Sequence, residues 1–534
     1  MITVEKFKQM GMLEQLEALE NMKKTKNDHC IVALYDLYTH PLGDDAIDYM
    51  VGMTLRELLV ENEQETVMGI THENPAIQKI CLQICGQRCF ASATPVLINL
   101  FKKHQDHKMM YETFLAMSKS DSKDFIEIFR NFMGHPKEDV AAIAIGMLGK
   151  HQDEASIDPL CRIVENGETD ENYKKCDLIT GAAIEALGQM PAVRAASFLV
   201  SKLHYRNPTG RLLVHQELVK KGKEVIPLFE KIMEEDDIDK KIMAANVLGL
   251  IGDKKGGEIL ILAMDKGVIK DLNVKYAVYE AIGRMQFMKG TIFLMDGFSE
   301  QDPLLLTAVM TSLDSQLHPG VTKKLTEMIQ KGDQQSQRLV RAIVTAKAMK
   351  IFEILYQEHD LAQLFMESIF AVKDQNRIDA FREKLETIDS AEAKKDAKAL
   401  SEVVVTKGGK RVLVADDSKA MLAFYQTAIS GFGLTAVTAE NGKDALDILH
   451  QGDTFDLILT DMNMPVMDGI EFTRLTRKNP EFRDTPIVMI STESEISQIE
   501  LAKEAGVDVF LSKPFTQDKL LETIKKQLGS NLDL

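Results

Sequence analysis

Residues 411–417 read Arg-Val-Leu-Val-Ala-Asp-Asp, and residues 455–469 read Phe-Asp-Leu-Ile-Leu-Thr-Asp-Met-Asn-Met-Pro-Val-Met-Asp-Gly. In each, a short apolar run stops on carboxylates, as a buried parallel strand with a polar tip does. Further apolar runs stand at 434–438, 487–490 and 507–511, with amphipathic helices expected near 418–430, 442–451, 469–478, 495–505 and 517–528. Five such strand–helix units in one segment predict an α/β fold, a doubly wound five-stranded parallel sheet.

Ligands of such sheets sit beyond the carboxyl ends of the strands, near the point where strand order reverses. The polar residues gather there: Asp416-Asp417 after the first strand, Asp461 after the third, Ser491 after the fourth, Ser512-Lys513-Pro514 after the fifth. Three neighbouring carboxylates raise one another's pKa unless a cation neutralises them, and all-oxygen donors suit a hard octahedral ion such as Mg²⁺.

The set Asp416-Asp417, 461–469, Ser491-Thr492 and Lys513-Pro514-Phe515 closely resembles the receiver domain of two-component response regulators, flavodoxin-like in fold, and assigns 411–534 to it. The resemblance implies that Asp461 accepts a phosphoryl group from a histidine kinase or histidine phosphotransfer protein. It implies Mg²⁺ held by Asp417 directly, by Asp416 through water, by Asp461 and by the backbone carbonyl of Asn463. Lys513 then places a point charge on one phosphoryl oxygen, and Ser491 hydrogen-bonds another. Ser491 moves toward the phosphoryl group and Phe510 turns into the vacated space, signalling by packing because it lacks a tyrosine's hydroxyl. The resemblance also implies a cis Lys513–Pro514 bond aiming the lysine inward, and Thr492 is read as restricting water at the acyl phosphate.

Upstream the period changes. From about residue 80 to 350 a small-residue-rich apolar run closes repeatedly on a hydrophobe or thiol plus glycine: Ile84-Cys85-Gly86, Leu148-Gly149, Leu187-Gly188, Ile251-Gly252 and Ile282-Gly283. Pro95, Pro159 and Pro227 open amphipathic stretches at a similar spacing. A unit of about 30–40 residues is that of a helical solenoid. Alanine pairs such as Ala141-Ala142 and Ala244-Ala245 let helices approach, glycine is expected to stop the first helix of each hairpin, and proline suits the first turn of the second. Residues 1–385 thus resemble HEAT-like repeats, an all-α solenoid with a generic helical bundle as the alternative; 1–75 fit the period poorly and read as a cap. Residues 386–410, a charged helix followed by Gly408-Gly409, read as a linker.

The chain of 534 residues far exceeds the roughly 150 of one domain. Its 45% hydrophobic and 27% charged residues are those of a globular protein. A net charge of −17 disfavours wholesale nucleic-acid or acidic-membrane binding, so no direct DNA contact is expected. Six cysteines without a disulfide pattern, a charged start and no long apolar run lead to the expectation of a cytoplasmic protein without a membrane span.

Cys81, Cys85 and Cys89 share a helical spacing, but with Gly86 interrupting them and no fourth ligand they read as packing. The basic stretch 323–350 reads as a solvated face, and the 28 methionines as core. Gly442-Lys443 lacks the upstream glycine of a phosphate loop. The expectation is therefore a response regulator, not an enzyme beyond its own phosphorylation and dephosphorylation, whose repeats bind a protein target under control of the receiver. The alternative is a phosphate shuttle or sink with the repeats as passive scaffold. A third reading, catalytic repeats as in HEAT-like bilin lyases or hydroxylases, finds no His/carboxylate metal set.

Overall fold

The structure, a computed structural model, describes residues 4–25, 28–103, 107–168, 176–358, 361–372, 374–403, 410–491, 496–513 and 515–529. Gly408, Gly409, Thr492 and Pro514, singled out in the sequence, lie outside them. The chain forms two compact units, one of 4–166 with 177–192, the other of 167–176 with 193–529. The second unit therefore contains both helical hairpins and the parallel sheet.

The first unit is helical. Helices Met12–Thr25, Asp28–Thr39 and Asp45–Glu61 contribute to one continuous core that runs from Phe7 to Leu148. Helix Pro75–Arg88 passes through Gly86 without a break, so the expected interruption between Cys81 and Cys89 does not occur. Cys81 and Cys85 are buried in that core, while Cys89 ends the helix in a left-handed conformation and its thiol donates to Lys119 O.

In the second unit, helices Ile238–Ile251, Leu272–Arg284, Pro303–Ser315 and Gln334–Ala346 stack in series. Their partners Lys254–Asp265, Met288–Asp296 and Pro319–Ile329 alternate with them as the second helices of hairpins. Amphipathic helices that bury one face in their own hairpin and another in the next build such a series. The charged segment after 386 holds helix Ala391–Ser401, whose Ala393, Ala397 and Leu400 are buried and whose Asp396 accepts from the Tyr356 hydroxyl (2.7 Å).

The expected role of the recurring glycine needs correction. Gly86, Gly149, Gly188 and Gly283 lie inside their helices, and only Gly252 ends one, at φ 71°. What the glycine provides is close approach. A Cβ on Gly149 would stand 2.6 Å from Ala186 Cα, and one on Gly249 would stand 2.9 Å from Ala281 Cα. On Gly283 it would meet Ser312 Oγ at 2.2 Å. A glycine near the end of one first helix thus faces a small residue of the next first helix, and backbone contact sets the stacking distance.

The sheet is wholly parallel, in the order β2-β1-β3-β4-β5, with β1 Arg411–Ala415, β2 Thr435–Ala439, β3 Leu457–Asp461, β4 Ile487–Ser491 and β5 Val509–Ser512. Helix Lys419–Gly431 lies against β1 and β2 on one side and against Pro303–Ser315 and Gln334–Ala346 on the other. Among the described residues no helix is long and apolar enough to cross a membrane.

Gly149→Ala is expected to destabilise the chain by about 1–3 kcal/mol through overpacking, although alanine is the better helix former. Gly146→Ala on the same helix, where a Cβ meets nothing within 4 Å, should gain roughly 0.5–1 kcal/mol. Urea unfolding of both variants checks this; equal shifts would contradict the close-approach role.

Candidate functional site

The strand order reverses between β1 and β3, where Ala415 pairs with Thr460, so the next residues, Asp416 and Asp461, stand side by side at the sheet edge. Lys513, just past β5, reaches across to them. Its Nζ donates to Asp461 Oδ1 at 2.6 Å and to Asp416 Oδ2 at 3.0 Å. Each loop also folds back on its carboxylate: Asn463 N donates to Asp461 Oδ2 (2.8 Å), and Ser418 N to Asp416 Oδ1 (2.9 Å). Downstream, Asp468 caps helix Gly469–Lys478 by accepting from Glu471 N (2.7 Å). Gly469 is sterically required, since a Cβ there would lie 2.1 Å from Asp461 O.

The other residues expected from the sequence are close by. Ser491 is buried at the end of β4, where its carbonyl accepts from Lys513 N at 2.7 Å. Phe510 is partly buried against the apolar core of the sheet. The structure thus brings Asp416, Asp461, Asn463 and Lys513 into one hydrogen-bonded set, with Asp417 beside it and Ser491 on the adjoining strand.

Burial pushes Asp416 up to about 6, with Asp461 adding to the effect and Lys513 opposing it. Asp417 is raised well above the usual carboxylate range by burial and by Asp416, Asp461 and Glu280. For Lys513 burial alone would lower the pKa, but the two carboxylates hold it well above its ordinary value, so the ammonium stays charged. With Asp417 beside the two carboxylates that Lys513 contacts, the cluster is short of positive charge. Among the described residues no three Asp, Glu, His or Cys side chains form a ready-made metal cage. A Mg²⁺ ion asks less, because it keeps several waters and takes only one or two carboxylates; the all-oxygen donors Asp416, Asp417 and Asp461 fit it.

The helical hairpins of the same unit furnish the facing wall, which the sequence reading missed. From helix Leu272–Arg284, Glu280 Oε1 accepts from Ser418 Oγ (2.7 Å), and the Tyr276 hydroxyl hydrogen-bonds the same serine. From helix Pro208–Lys221, Arg211 Nη2 donates to Asn463 Oδ1 (2.7 Å). Gln498 Nε2 donates to Arg206 O (3.1 Å). Arg377, fully buried, donates through Nη2 to Ala423 O (3.1 Å) and through Nη1 to the Thr427 hydroxyl. Between the two walls lies a cavity of about 1090 Å³ whose lining includes Arg211, Glu280, Arg284, Asp417, Asp461 and Lys513. A signal did exist in the sequence: Arg377 and Arg211 are charges at positions that helical periodicity assigns to a buried face.

Residues 412–525 match the family described as response regulator receiver domain. A chemotaxis protein CheY homolog of Campylobacter jejuni is 34% identical over 121 residues, 22% of this chain and 93% of the relative. The chemotaxis protein CheY of Pseudomonas aeruginosa is 36% identical over 117 residues, 22% of this chain and 94% of its own. The solved chemotaxis response regulator CheY4 of Vibrio cholerae is 34% identical, covering 23% of this chain and 100% of its own, with a TM-score of 0.22. With its acidic pair, its third-strand aspartate and its lysine gathered at the switch point of a parallel sheet, the chain belongs through these residues to the response regulator receiver family.

Proposed function

We propose that the chain is a cytoplasmic response regulator of a two-component phosphorelay, in which phosphorylation of Asp461 switches the protein contacts of a HEAT-like helical-repeat region. The division that goes with this reading is a repeat region over 1–385, a joining segment over 386–410 and a receiver over 411–534. The observation that carries it is Lys513 held between the carboxylates of Asp416 and Asp461.

In the proposed reaction a carboxylate oxygen of Asp461 attacks phosphorus in line. The phosphorus–nitrogen bond of a donor phosphohistidine breaks, its electron pair returning to the imidazole. Asp417, Asp416 through water, Asp461 and the Asn463 carbonyl would hold Mg²⁺, which when bound supplies charge opposing that of the phosphoryl oxygens. Lys513 already carries the matching positive charge within reach of the acceptor oxygen. Ser491 would turn to a phosphoryl oxygen, and Phe510 would follow it. The donor is a histidine kinase or histidine phosphotransfer protein, and the output partner is a protein rather than DNA.

The contacts of Ser418 with Glu280 and Tyr276, and of Asn463 with Arg211, favour coupling over the passive scaffold. Ser418 follows the Asp416-Asp417 pair and Asn463 follows Asp461, so a change at the acceptor would reach residues that the hairpins hold.

Incubation with acetyl phosphate and Mg²⁺ is expected to add one phosphoryl mass to the wild-type chain, and none to Asp461→Ala or in excess chelator, as read by intact-mass spectrometry. Amide hydrogen exchange with beryllofluoride should alter protection in helix Leu272–Arg284 as well as in the sheet; changes confined to residues beyond 410 would favour the shuttle. Lys513→Met leaves two buried carboxylates uncompensated and should cost about 3–5 kcal/mol in metal-free buffer, with part recovered on adding Asp416→Asn. Denaturant titration of the single and double variants measures both effects.

A further inference from the structure

We propose that Arg211, on helix Pro208–Lys221 outside the receiver, is a phosphoryl-binding residue: its guanidinium exchanges the Asn463 amide for an oxygen of the group carried on Asp461. The inference rests on the reading of Asp461 as the phosphoacceptor and deepens it, since it assigns one phosphoryl contact to the helical region.

Arg211 is built into place. Asn207 caps its helix, accepting from Gly210 N at 3.0 Å, and a Cβ on Gly210 would stand 2.6 Å from the Tyr205 ring, so that ring packs closely against the first turn. Arg211 itself is only 2% exposed. Its Nη1 donates to Tyr205 O at 3.5 Å and its Nη2 to Asn463 Oδ1 at 2.7 Å. The guanidinium has thus already been taken out of water and aimed at the loop that follows the acceptor.

That loop is tight. The amide of Asn463 donates to Asp461 Oδ2 at 2.8 Å, so the residue holding Arg211 is hydrogen-bonded to the acceptor carboxylate itself. Asp461 and Arg211 line the same cavity, into which a group attached to Asp461 would project. The Asn463 amide oxygen that Arg211 holds is neutral, and the carboxyl of Asp468, which feels the guanidinium electrostatically, lines the same cavity. A phosphoryl group of charge near −2, with three acceptor oxygens, is a stronger partner than the amide, and the planar fork of arginine matches it. Across the cavity the Glu280 carboxyl would meet the same incoming negative charge with repulsion rather than attraction. Phosphorylation would then draw in the Pro208–Lys221 helix while opposing the Glu280–Ser418 contact, which rearranges the hairpins on the receiver instead of simply releasing them.

The test is a titration of beryllofluoride, a phosphoryl mimic, into the full chain with saturating Mg²⁺, read by ¹⁹F NMR for wild type, Arg211→Ala, Arg211→Lys and Asp461→Ala. Arg211→Ala is expected to weaken binding roughly tenfold or more, and Arg211→Lys, which keeps the charge and loses the fork, to fall between. Unchanged affinity in Arg211→Ala overturns the proposal, and tighter binding overturns it too, because it would make Arg211 a latch against the active state. Should the alanine variant fail to fold, the lysine variant decides: weakened binding supports the contact and unchanged binding removes it. A wild-type chain that binds no beryllofluoride, or an Asp461→Ala chain that binds it, defeats the phosphoacceptor reading and is distinguishable from failure of the Arg211 contact.

Discussion

An ammonium group clasped by two buried carboxylates holds the receiver's acceptor edge together. Lys513 contacts Asp416 and Asp461 at once, and those carboxylates belong to strands that are neighbours only because the sheet reverses its order between them. Buried charge without a partner is costly, so the ends of β1, β3 and β5 are tied to one another electrostatically. The same clasp leaves the site short of positive charge, since Asp417 adds a third carboxylate. The backbone amides of Ser418 and Asn463 keep both carboxylates aimed, so the charge-deficient arrangement is fixed in place by the chain itself.

The helical hairpins meet this edge with polar groups, which makes the contact specific rather than merely adhesive. Tyr276 and Glu280 sit one turn apart on a single helix and address a single serine. Arg377, buried and with its pKa lowered to about 10 mainly by that burial, addresses a backbone carbonyl that has no sequence alternative. Such groups tolerate little displacement, and the glycine contacts between successive first helices supply the rigidity they require. A stack spaced by backbone against backbone, as at Gly249 and Ala281, fixes where Tyr276 and Glu280 stand.

Much of the receiver was legible residue by residue. Strands covered on both faces appear as uninterrupted apolar runs, and their polar tips mark the ligand edge, so Asp416, Asp417, Asp461, Ser491 and Lys513 could be named from the chain alone. Boundaries shifted slightly: the second strand, expected at 434–438, is Thr435–Ala439, and the third, within the stretch that begins at Phe455, is Leu457–Asp461. In the helical part the period was readable, but the purpose of its glycine was not. A glycine late in a helix signals termination when read locally; its use at Gly149 and Gly283 depends on a neighbour about 30–40 residues away.

Chemistry carried by adjacent residues is written into the chain, because a strand end or a helix cap depends on a handful of neighbours. The wall opposite Asp461 is not written there in the same way. Arg211 and Asn463 are separated by 252 positions, and Glu280 and Ser418 by 138. Their meeting depends on rise and rotation summed over several stacked hairpins, and no local pattern encodes that sum. Periodicity, with the resemblance carried by the strand-end residues, could therefore identify a receiver domain and a helical region as separate parts, whereas their union into one charged cavity arises only when the hairpins are folded against the sheet.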